Sequence, residues 1–309
     1  MSVVTRRAWV GAARVVFVAS AIFFGWWSLR DEWPMLLAAL GAITAWQWLI
    51  SAALVVVGLM CTGIVWERIL VGYGYRLPIR SALSVFFVGQ IGKYIPGSVW
   101  SLAAQGQMAR TFNVPVRITV ATGLVFLYWN VVTAILLGSL LIAWGQAAVT
   151  VSRWGMLLVA LLALSALLPA TVTAVANRLA GTHASPHTRW SDIALLLPLM
   201  VLTWTAYGAA VLFLVPGDAN GGSGPFPLTM AITAFAFSYI LGVLVPLAPA
   251  GFGIREAAMI YFLSPHLGLA LAAAVALLTR VIHTIADFAI AAASWVVGRR
   301  ARLATSPGP

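Results

Sequence analysis

Long apolar runs dominate this chain, and their lengths restrict its possible folds more than any other feature. About 20 helical residues cross the hydrocarbon core of a bilayer, and apolar runs of that length recur along the sequence. Only 8% of the 309 residues are charged, whereas a soluble domain has roughly 25%. Because backbone polar groups in lipid must find partners within the segment, these runs predict helices. We expect an all-α polytopic membrane protein.

The long runs predict about six full membrane spans. Basic residues precede the first run, as in a signal peptide, but no convincing small-x-small cleavage site comes before Arg30. We therefore expect an uncleaved first helix. The predicted spans cover about 10–29, 34–65, 117–144, 154–176, 192–215 and 267–297.

Two further apolar segments, 81–110 and about 228–264, are interrupted near their middles by proline and glycine. Their halves are too short to cross a core that takes about 20 helical residues. Non-helical backbone at membrane depth is tolerated only where protein or a wet cavity surrounds it. We expect two re-entrant helical hairpins, which enter the membrane and turn back. The predicted breaks are Gly92, Pro96 and Gly97 in the first hairpin and Pro249, Gly251 and Gly253 in the second.

The distribution of basic residues supports this topology. If the N-terminus is cytoplasmic and both hairpins return to the side they entered, most of the 18 Lys and Arg residues are cytoplasmic. Only Arg30 and Arg153 then lie outside, in keeping with the positive-inside rule. A second hairpin that crossed fully would put the basic C-terminus outside, against that rule. We therefore expect both termini in the cytoplasm.

The order of elements predicts an inverted repeat within one integral membrane domain, 1–309. Each half contains two spans, a hairpin and a span, and the second half repeats the first upside down. The halves cover about 1–148 and 149–309, and the symmetry rests on topology and the two breaks, not on matching residues. In transporters with inverted repeats, the substrate site lies near the midplane between interrupted helices. The pattern therefore indicates a transport site where the hairpins meet.

Charged residues within the apolar segments are the first candidates for that site, because each costs roughly 2.5–3.5 kcal/mol to insert at the membrane centre. Arg255 follows the second break, at the expected start of a half-helix, where free N–H groups and a guanidinium suit phosphate. Alternatively, the cations pair with nearby carboxylates and only lock the hairpins. Both interpretations stay open. The charged candidates are Lys93, Arg255, Glu256, Arg280 and Asp287, with Gln90 and Tyr94 as polar substrate-binding candidates beside the first break.

Three polar residues of the last span form a stripe. Arg280, His283 and Asp287 are three and four residues apart, so they share one helical face, and His283 and Asp287 are positioned to hydrogen-bond each other. The stripe is either a proton relay, since imidazole titrates near neutral pH, or a structural set of neutralising groups, which we favour. Other polar residues are expected to bridge helices, namely Gln105, Gln107 and Asn130.

Several other functional classes are not expected. The basic residues are scattered singly or in pairs, which argues against nucleic-acid binding. His183 and His187 are four residues apart, but Pro186 interrupts them and no third ligand is near, so we expect no metal and no cofactor. Cys61 is the single cysteine and cannot form an intramolecular disulfide. The sequence shows no Ser/His/Asp or Cys/His catalytic set and no ATP-hydrolysing domain, so we expect neither an enzyme nor a primary pump.

The segments 92–100 and 249–256 read GKYIPGSVW and PAGFGIRE. They resemble the two signature stretches of the lysylphosphatidylglycerol synthase transmembrane-region family, and the likeness covers nearly the whole chain in span order. The family includes the flippase half of the multiple peptide resistance factor and stand-alone relatives, among them archaeal proteins linked to dolichyl-phosphate glycans. The resemblance implies a protein that moves, or assists, a lipid with a phosphate-bearing head group. The sequence has no large soluble aminoacyltransferase domain, so we expect no synthase activity.

We therefore expect a lipid flippase-like transporter for an aminoacylated phospholipid or a polyprenyl-phosphate-linked sugar. Two alternatives stay open. One is an intramembrane lipid-modifying enzyme with His283 and Asp287, or Glu256, as acid and base; the other is a non-transporting partner subunit of a membrane glycosyltransferase. A membrane glycosyltransferase or aminoacyltransferase is the candidate protein partner, and the oligomeric state is left open. Lysine occurs once among the 18 basic residues, which points to a GC-rich genome. We expect a bacterial protein of the plasma membrane.

Overall fold

A computed structural model describes residues 33–95, 100–144, 152–181, 188–216, 226–245 and 249–305. Within these ranges the chain forms helices and no strands, which confirms the all-α fold class. The predicted first span at 10–29, the breaks Pro96 and Gly97, and the pair His183 and His187 lie outside the described residues.

The described helices follow one another with short connections. Single 3-10 turns occur at Ile91–Tyr94 and Pro249–Gly251, at the two predicted breaks. The α-helices are α1 (Trp33–Ala42), α2 (Ala45–Gly72), α3 (Ile79–Gln90), α4 (Trp100–Arg110), α5 (Val116–Ala143), α6 (Arg153–Ala166), α7 (Pro169–Ala180), α8 (Trp190–Phe213), α9 (Leu228–Leu244) and α10 (Ile254–Thr305).

Four of the described helices are long and apolar enough to cross a membrane: α2, α5, α8 and the Ile254–Gly298 part of α10. The pair α6 and α7 makes a fifth crossing if it is counted as one bent span. Large apolar side chains cover the outer surface, and exposed tryptophans stand near helix ends, as in the aromatic belts of membrane proteins. These tryptophans are Trp46, Trp144, Trp154 and Trp190. The chain is a multi-pass membrane protein.

The run at 34–65 does not form one helix, so that prediction was wrong. It divides at residues 43–44 into α1 and α2, and α2 continues to Gly72. Thr44 caps α2: its hydroxyl accepts the Gln47 N–H, and the Gln47 side chain accepts the Thr44 N–H. This reciprocal capping box satisfies backbone donors that an uninterrupted helix would have bonded internally.

The run at 154–176 is also divided. Helices α6 and α7 are bent by 62° at a break before Pro169. Proline has no N–H to donate and disfavours helical backbone at the preceding residue, so a new helix starts with Pro169 in its first turn. Helix α7 then extends to Ala180, beyond the predicted end at residue 176.

The first interrupted segment consists of α3, the 3-10 turn and α4. The interruption is as predicted, although Gly92 continues the turn instead of ending it. Its role is close approach, because a Cβ on Gly92 would lie 2.5 Å from the Ser101 backbone nitrogen. Neither α3, with 12 residues, nor α4, with 11, is long enough to cross a bilayer.

The second interrupted segment contains α9, the 3-10 turn Pro249–Gly251 and the first part of α10. Residues 254–267 and 269–305 are separate helical stretches, because Gly268 has φ 73° and ψ 165° inside α10. Such a backbone conformation favours glycine. The prediction placed this segment at about 228–264 and the last span from 267, so Gly268 marks the expected boundary within a few residues.

Cross-helix contacts place both breaks near the middle of the 269–305 stretch. Near Ser84 of α3, the last helical stretch is at Gly298, where an added Cβ would lie 2.7 Å from Ser84 Cβ. Beyond the C-terminal end of α3, the Tyr94 hydroxyl donates to Asp287 of the same stretch. Asp287 and Gly298 are eleven residues apart, or about 16 Å of helix. That is about half the thickness of a hydrocarbon core of about 30 Å.

Candidate functional site

The two breaks contact each other and border a shared cavity. The 3-10 turn Ile91–Tyr94 packs against the turn Pro249–Gly251, and beside them lies a cavity of about 260 Å³. Its charged lining residues within the described chain are Lys93, Arg255 and Asp287. Three residues that the sequence singled out as costly in a membrane are thus brought together from separate segments.

Lys93 joins the first break to the last helical stretch. Its Nζ lies 2.7 Å from Asp287 Oδ2, and the neighbouring Tyr94 hydroxyl donates to the same oxygen at 2.6 Å. Tyr94 also stacks on Phe288 with ring centroids 5.3 Å apart. Lys93 thus forms the ion pair that the locking interpretation predicts, and Asp287 has two donors.

Arg255 reaches the cavity from the second residue of α10. The helix begins at Ile254, so its N-terminal partial positive charge lies beside the guanidinium, as the sequence predicts. Arg255 Cζ lies 5.4 Å from the ring centroids of Phe235 and Tyr239. Within the described chain, no carboxylate lies within the 4.0 Å of an ion pair with this guanidinium.

Two glycines make room for the Arg255 stem. A Cβ on Gly242 would lie 2.3 Å from Arg255 Cγ, and one on Gly251 would lie 2.9 Å from Arg255 Cδ. Gly251 also has φ +73°, a conformation that L side chains rarely adopt. The arginine stem therefore runs between α9 and the second break, and this packing fixes the direction of the guanidinium.

Glu256 and Arg280 hold the second break and do not line the larger cavity. Glu256 Oε2 accepts the Gly253 N–H at 2.7 Å, the acidic half of a capping box. Arg280 donates to the Ala250 carbonyl at 2.8 Å, and its Nε lies 3.5 Å from Glu256 Oε1. Ala250 has φ 49°, so these contacts secure a left-handed turn.

His283 and Asp287 do not form the hydrogen bond that their spacing predicts. His283 Nδ1 lies 2.9 Å from the Thr279 carbonyl of its own helix, and the imidazole packs against Phe235 and Tyr207. Side chains of a helix that share a face turn toward different neighbours when those neighbours offer better partners. Asp287 turns to Lys93 and Tyr94 instead.

A small second cavity of about 20 Å³ lies beside His283. Three buried polar atoms of its lining residues have no hydrogen-bond partner within the described part of the chain: Glu256 Oε1, Thr279 Oγ1 and His283 Nε2. That volume suits one water molecule, which typically makes about three hydrogen bonds when buried. Arg255 lines both cavities.

The wall of the larger cavity formed by α3, α4 and α5 is mainly apolar, and the polar side chains that these helices contribute to it are uncharged. Gln90, Ser101, Gln105 and Asn130 line it. Asn130 was expected to bridge helices, but its Nδ2 donates to the Phe126 carbonyl of its own helix. Gln107 is exposed and lies outside the cavity lining.

The structure adds residues that the sequence analysis did not select. Tyr239 and Tyr207 line the cavity, and Gly242 admits Arg255. Tyr239 and Gly242 lie within the apolar α9, and the sequence alone does not show that they adjoin the charged Arg255. Among the described residues, no group of three or more His, Cys, Asp or Glu side chains could hold a metal ion.

The fold and the cavity define a class: a polytopic helical membrane protein with interrupted helices around a central cavity that contains charged side chains. A family model described as the lysylphosphatidylglycerol synthase TM region matches residues 11–291. The chain belongs to this family, which confirms the resemblance and supports a broad flippase-like role with membrane lipids. No curated protein matches the chain.

Proposed function

We propose that this protein is a flippase-like transporter that moves a lipid with a phosphate-bearing head group across the membrane. The observation that carries the proposal is the position of Arg255. Its guanidinium lines the central cavity, at the start of a half-helix, with no ion-pair partner among the described carboxylates. A phosphate in this cavity would accept hydrogen bonds from the guanidinium and would also be attracted by the positive end of the helix dipole.

Energetics favour an anionic ligand for Arg255. A cation at membrane depth costs roughly 2.5–3.5 kcal/mol on insertion scales, whereas a cation–π contact returns about 0.5–2 kcal/mol. The two contacts, to the rings of Phe235 and Tyr239, together return about 1–4 kcal/mol, which is comparable with that cost, but neither ring neutralises the charge of Arg255. Lys93 differs, because Asp287 already neutralises it. We assign the principal phosphate contact to Arg255 and a supporting role to Lys93.

The apolar part of the ligand would stay in the bilayer. Ile95 and Leu127 line the cavity and are exposed by 50% and 36%. We assign these apolar residues to a border where the cavity opens toward the lipid. A lipid whose head group occupies the cavity would leave past this border with its chains in the hydrocarbon.

The proposal includes two re-entrant hairpins, an inverted repeat, cytoplasmic termini and a bacterial plasma membrane. The short halves of both interrupted segments support the hairpins, as do the contacts of both breaks with the middle of the last helical stretch. Helices α2 and α8 occupy corresponding places in the predicted repeat. They pack antiparallel, since Ser51 bonds to Ala210 and Gly58 adjoins Tyr207.

We prefer transport to covalent lipid chemistry because of the surroundings of the candidate acid and base. His283 does not line the larger cavity, and Asp287 is occupied by Lys93 and Tyr94. Glu256 caps α10. An intramembrane enzyme would need one of these groups within reach of the substrate. We therefore propose that the lipid leaves chemically unchanged.

The test is translocation of lipid head groups in proteoliposomes that contain the purified full chain. We compare wild type, Arg255→Gln and the matched control Arg153→Gln, which removes an exposed arginine outside the cavity lining. We expect Arg255→Gln to slow translocation of anionic phospholipid by about tenfold or more, because a charge-assisted hydrogen bond is lost. Arg153→Gln should translocate at the wild-type rate.

The molecular mass of lipid recovered after the assay is measured by mass spectrometry to detect covalent change. Equal rates for wild type and Arg255→Gln would reject Arg255 as the phosphate site. A protein-dependent change of lipid mass would replace the transporter with an enzyme.

A further inference from the structure

We propose that the head group held in the central cavity carries no positive charge and bears hydroxyl groups next to its phosphate. The substrate class is then an anionic polyol-phosphate lipid, not a cationic aminoacyl lipid. This inference rests on the proposed function and names the chemistry that the same cavity selects.

The first observation is the Gln105 side chain. It is 2% exposed and lines the cavity, and its Oε1 has no hydrogen-bond partner among the described residues. A Cβ on Gly89 would lie 2.3 Å from Gln105 Cγ, and one on Gly123 would lie 3.4 Å from Oε1. The two glycines thus make space for the stem and the amide. A buried acceptor held in this way favours a ligand that brings a donor.

The second observation is that the other polar groups on this side are uncharged. Asn130 is 3% exposed, and the bond from its Nδ2 to the Phe126 carbonyl at 2.9 Å orients its amide. Gln90 and Ser101 also line this wall. Amide and hydroxyl groups both donate and accept hydrogen bonds, as hydroxyl groups of a ligand do. These four side chains of a mainly apolar wall therefore offer hydrogen bonds to a polyol without adding charge.

The third observation concerns the negative charge available to a cationic head group. Asp287 is the one described acidic residue that lines the larger cavity, and it already binds Lys93 and Tyr94. An ammonium group would compete with Lys93 for Asp287 and be repelled by Arg255. Leaving a cation unpaired in a buried site is costly. A neutral polyol meets neither obstacle.

The cavity volume sets the size of the head group. At about 260 Å³, it lies just below the roughly 300–1,000 Å³ of pockets for drug-sized ligands. A phosphate with one small polyol suits this volume, and a long oligosaccharide would extend beyond it. Arg255 would then bind the phosphate in one part of the cavity, and the amides of Gln105 and Asn130 would bind the hydroxyl groups in the other.

The test compares probe lipids with identical acyl chains in proteoliposomes of the full-length protein. The probes are phosphatidylglycerol, phosphatidic acid, phosphatidylethanolamine and lysylphosphatidylglycerol. We expect wild type to translocate phosphatidylglycerol at least about tenfold faster than the two lipids that carry an amine, since the site would hold their cation unpaired.

Gln105→Leu tests the hydroxyl part separately from the phosphate part. It should slow phosphatidylglycerol by about tenfold, because a polar site loses its hydrogen bond to the ligand. Phosphatidic acid, which has no polyol, should be unaffected. Arg255→Gln should slow both. Gln105→Glu, nearly isosteric, should raise the rate for the amine-bearing lipids relative to phosphatidylglycerol by supplying a counterion.

The outcomes separate the two proposals. If Arg255→Gln slows no lipid, the phosphate site itself is wrong. If transport depends on Arg255 but lysylphosphatidylglycerol moves as fast as phosphatidylglycerol, the polyol inference is overturned and the transport proposal stands. The polyol inference is also overturned by a second set of results. In that set, Gln105→Leu slows phosphatidylglycerol and phosphatidic acid equally, and Gln105→Glu has the same relative rates for amine-bearing lipids and phosphatidylglycerol as wild type.

Discussion

Lys93 Nζ and Asp287 Oδ2 lie 2.7 Å apart and join the first break to the last helical stretch. The two residues are 194 positions apart in the sequence, so the pair ties the two halves of the chain together. The Asp287 side chain is 6% exposed and that of Lys93 is 33% exposed. The carboxylate therefore depends on this partner more than the ammonium does.

The first prediction concerns removal of one member of this pair. Lys93→Met leaves a buried carboxylate with Tyr94 as its remaining partner and should destabilise the protein by about 2 kcal/mol, less than the ~3–5 kcal/mol of fully buried pairs. Thermal unfolding in detergent measures the loss. The double variant Lys93→Met with Asp287→Leu should regain part of it, because the unpaired charge is gone. Additive losses would mean that the two side chains do not interact.

The second prediction concerns the glycines around Arg255. Gly242→Ala would place a Cβ 2.3 Å from Arg255 Cγ, so the guanidinium must move. We expect translocation of anionic lipid to slow by about tenfold or more, as misplacement by ~1 Å can cost up to about 100-fold. Gly72→Ala is the matched control, since its Cβ would meet nothing within 4 Å. Wild-type transport by Gly242→Ala would show that the position of Arg255 is unimportant.

The third prediction concerns the contacts of Arg280. Arg280→Gln removes the ion pair to Glu256 and weakens the bond to the Ala250 carbonyl. Loss of such buried partners costs about 1–3 kcal/mol. Amide hydrogen exchange should therefore increase in residues 249–257, while the preference among lipid head groups stays that of wild type. A changed preference with unaltered exchange would instead place Arg280 in the substrate site.

The fourth prediction tests the re-entrant topology by cysteine labelling. Cys61 is buried, so Cys61→Ala provides a background without cysteine. In that background, Arg76→Cys and Thr111→Cys flank the first interrupted segment and should react with a membrane-impermeant maleimide from one and the same side. Leu228→Cys and His266→Cys flank the second and should both react from the opposite side. Labelling of either pair from two different sides would show a full crossing.

Much of the architecture follows from local chemistry that a sequence displays. The apolar runs predicted the long helices α2, α5 and α8, and proline with glycine predicted the interruptions after Gln90 and Leu244. These features depend on the cost of unsatisfied backbone groups in lipid, which acts residue by residue. The capped break at Thr44 and the 62° bend before Pro169 were missed, because hydropathy averaged over a window does not register them.

The partners of the charged residues could not be read in the same way. Spacing paired His283 with Asp287, but the fold gave Asp287 to Lys93 and Tyr94. Glu256 follows Arg255 in the sequence, yet Glu256 forms its ion pair with Arg280. Helical periodicity says which side chains share a face, whereas the packing of other segments decides what that face meets.

The sequence by itself determined that this is a helical membrane protein with two interrupted segments and charged residues at membrane depth, since insertion costs depend on composition and length. Only the tertiary structure decided that Arg255 faces the cavity while Lys93 is held by Asp287. The physical reason is that an ion pair needs its charged atoms within about 4 Å of each other, so it depends on distances between segments far apart in the chain.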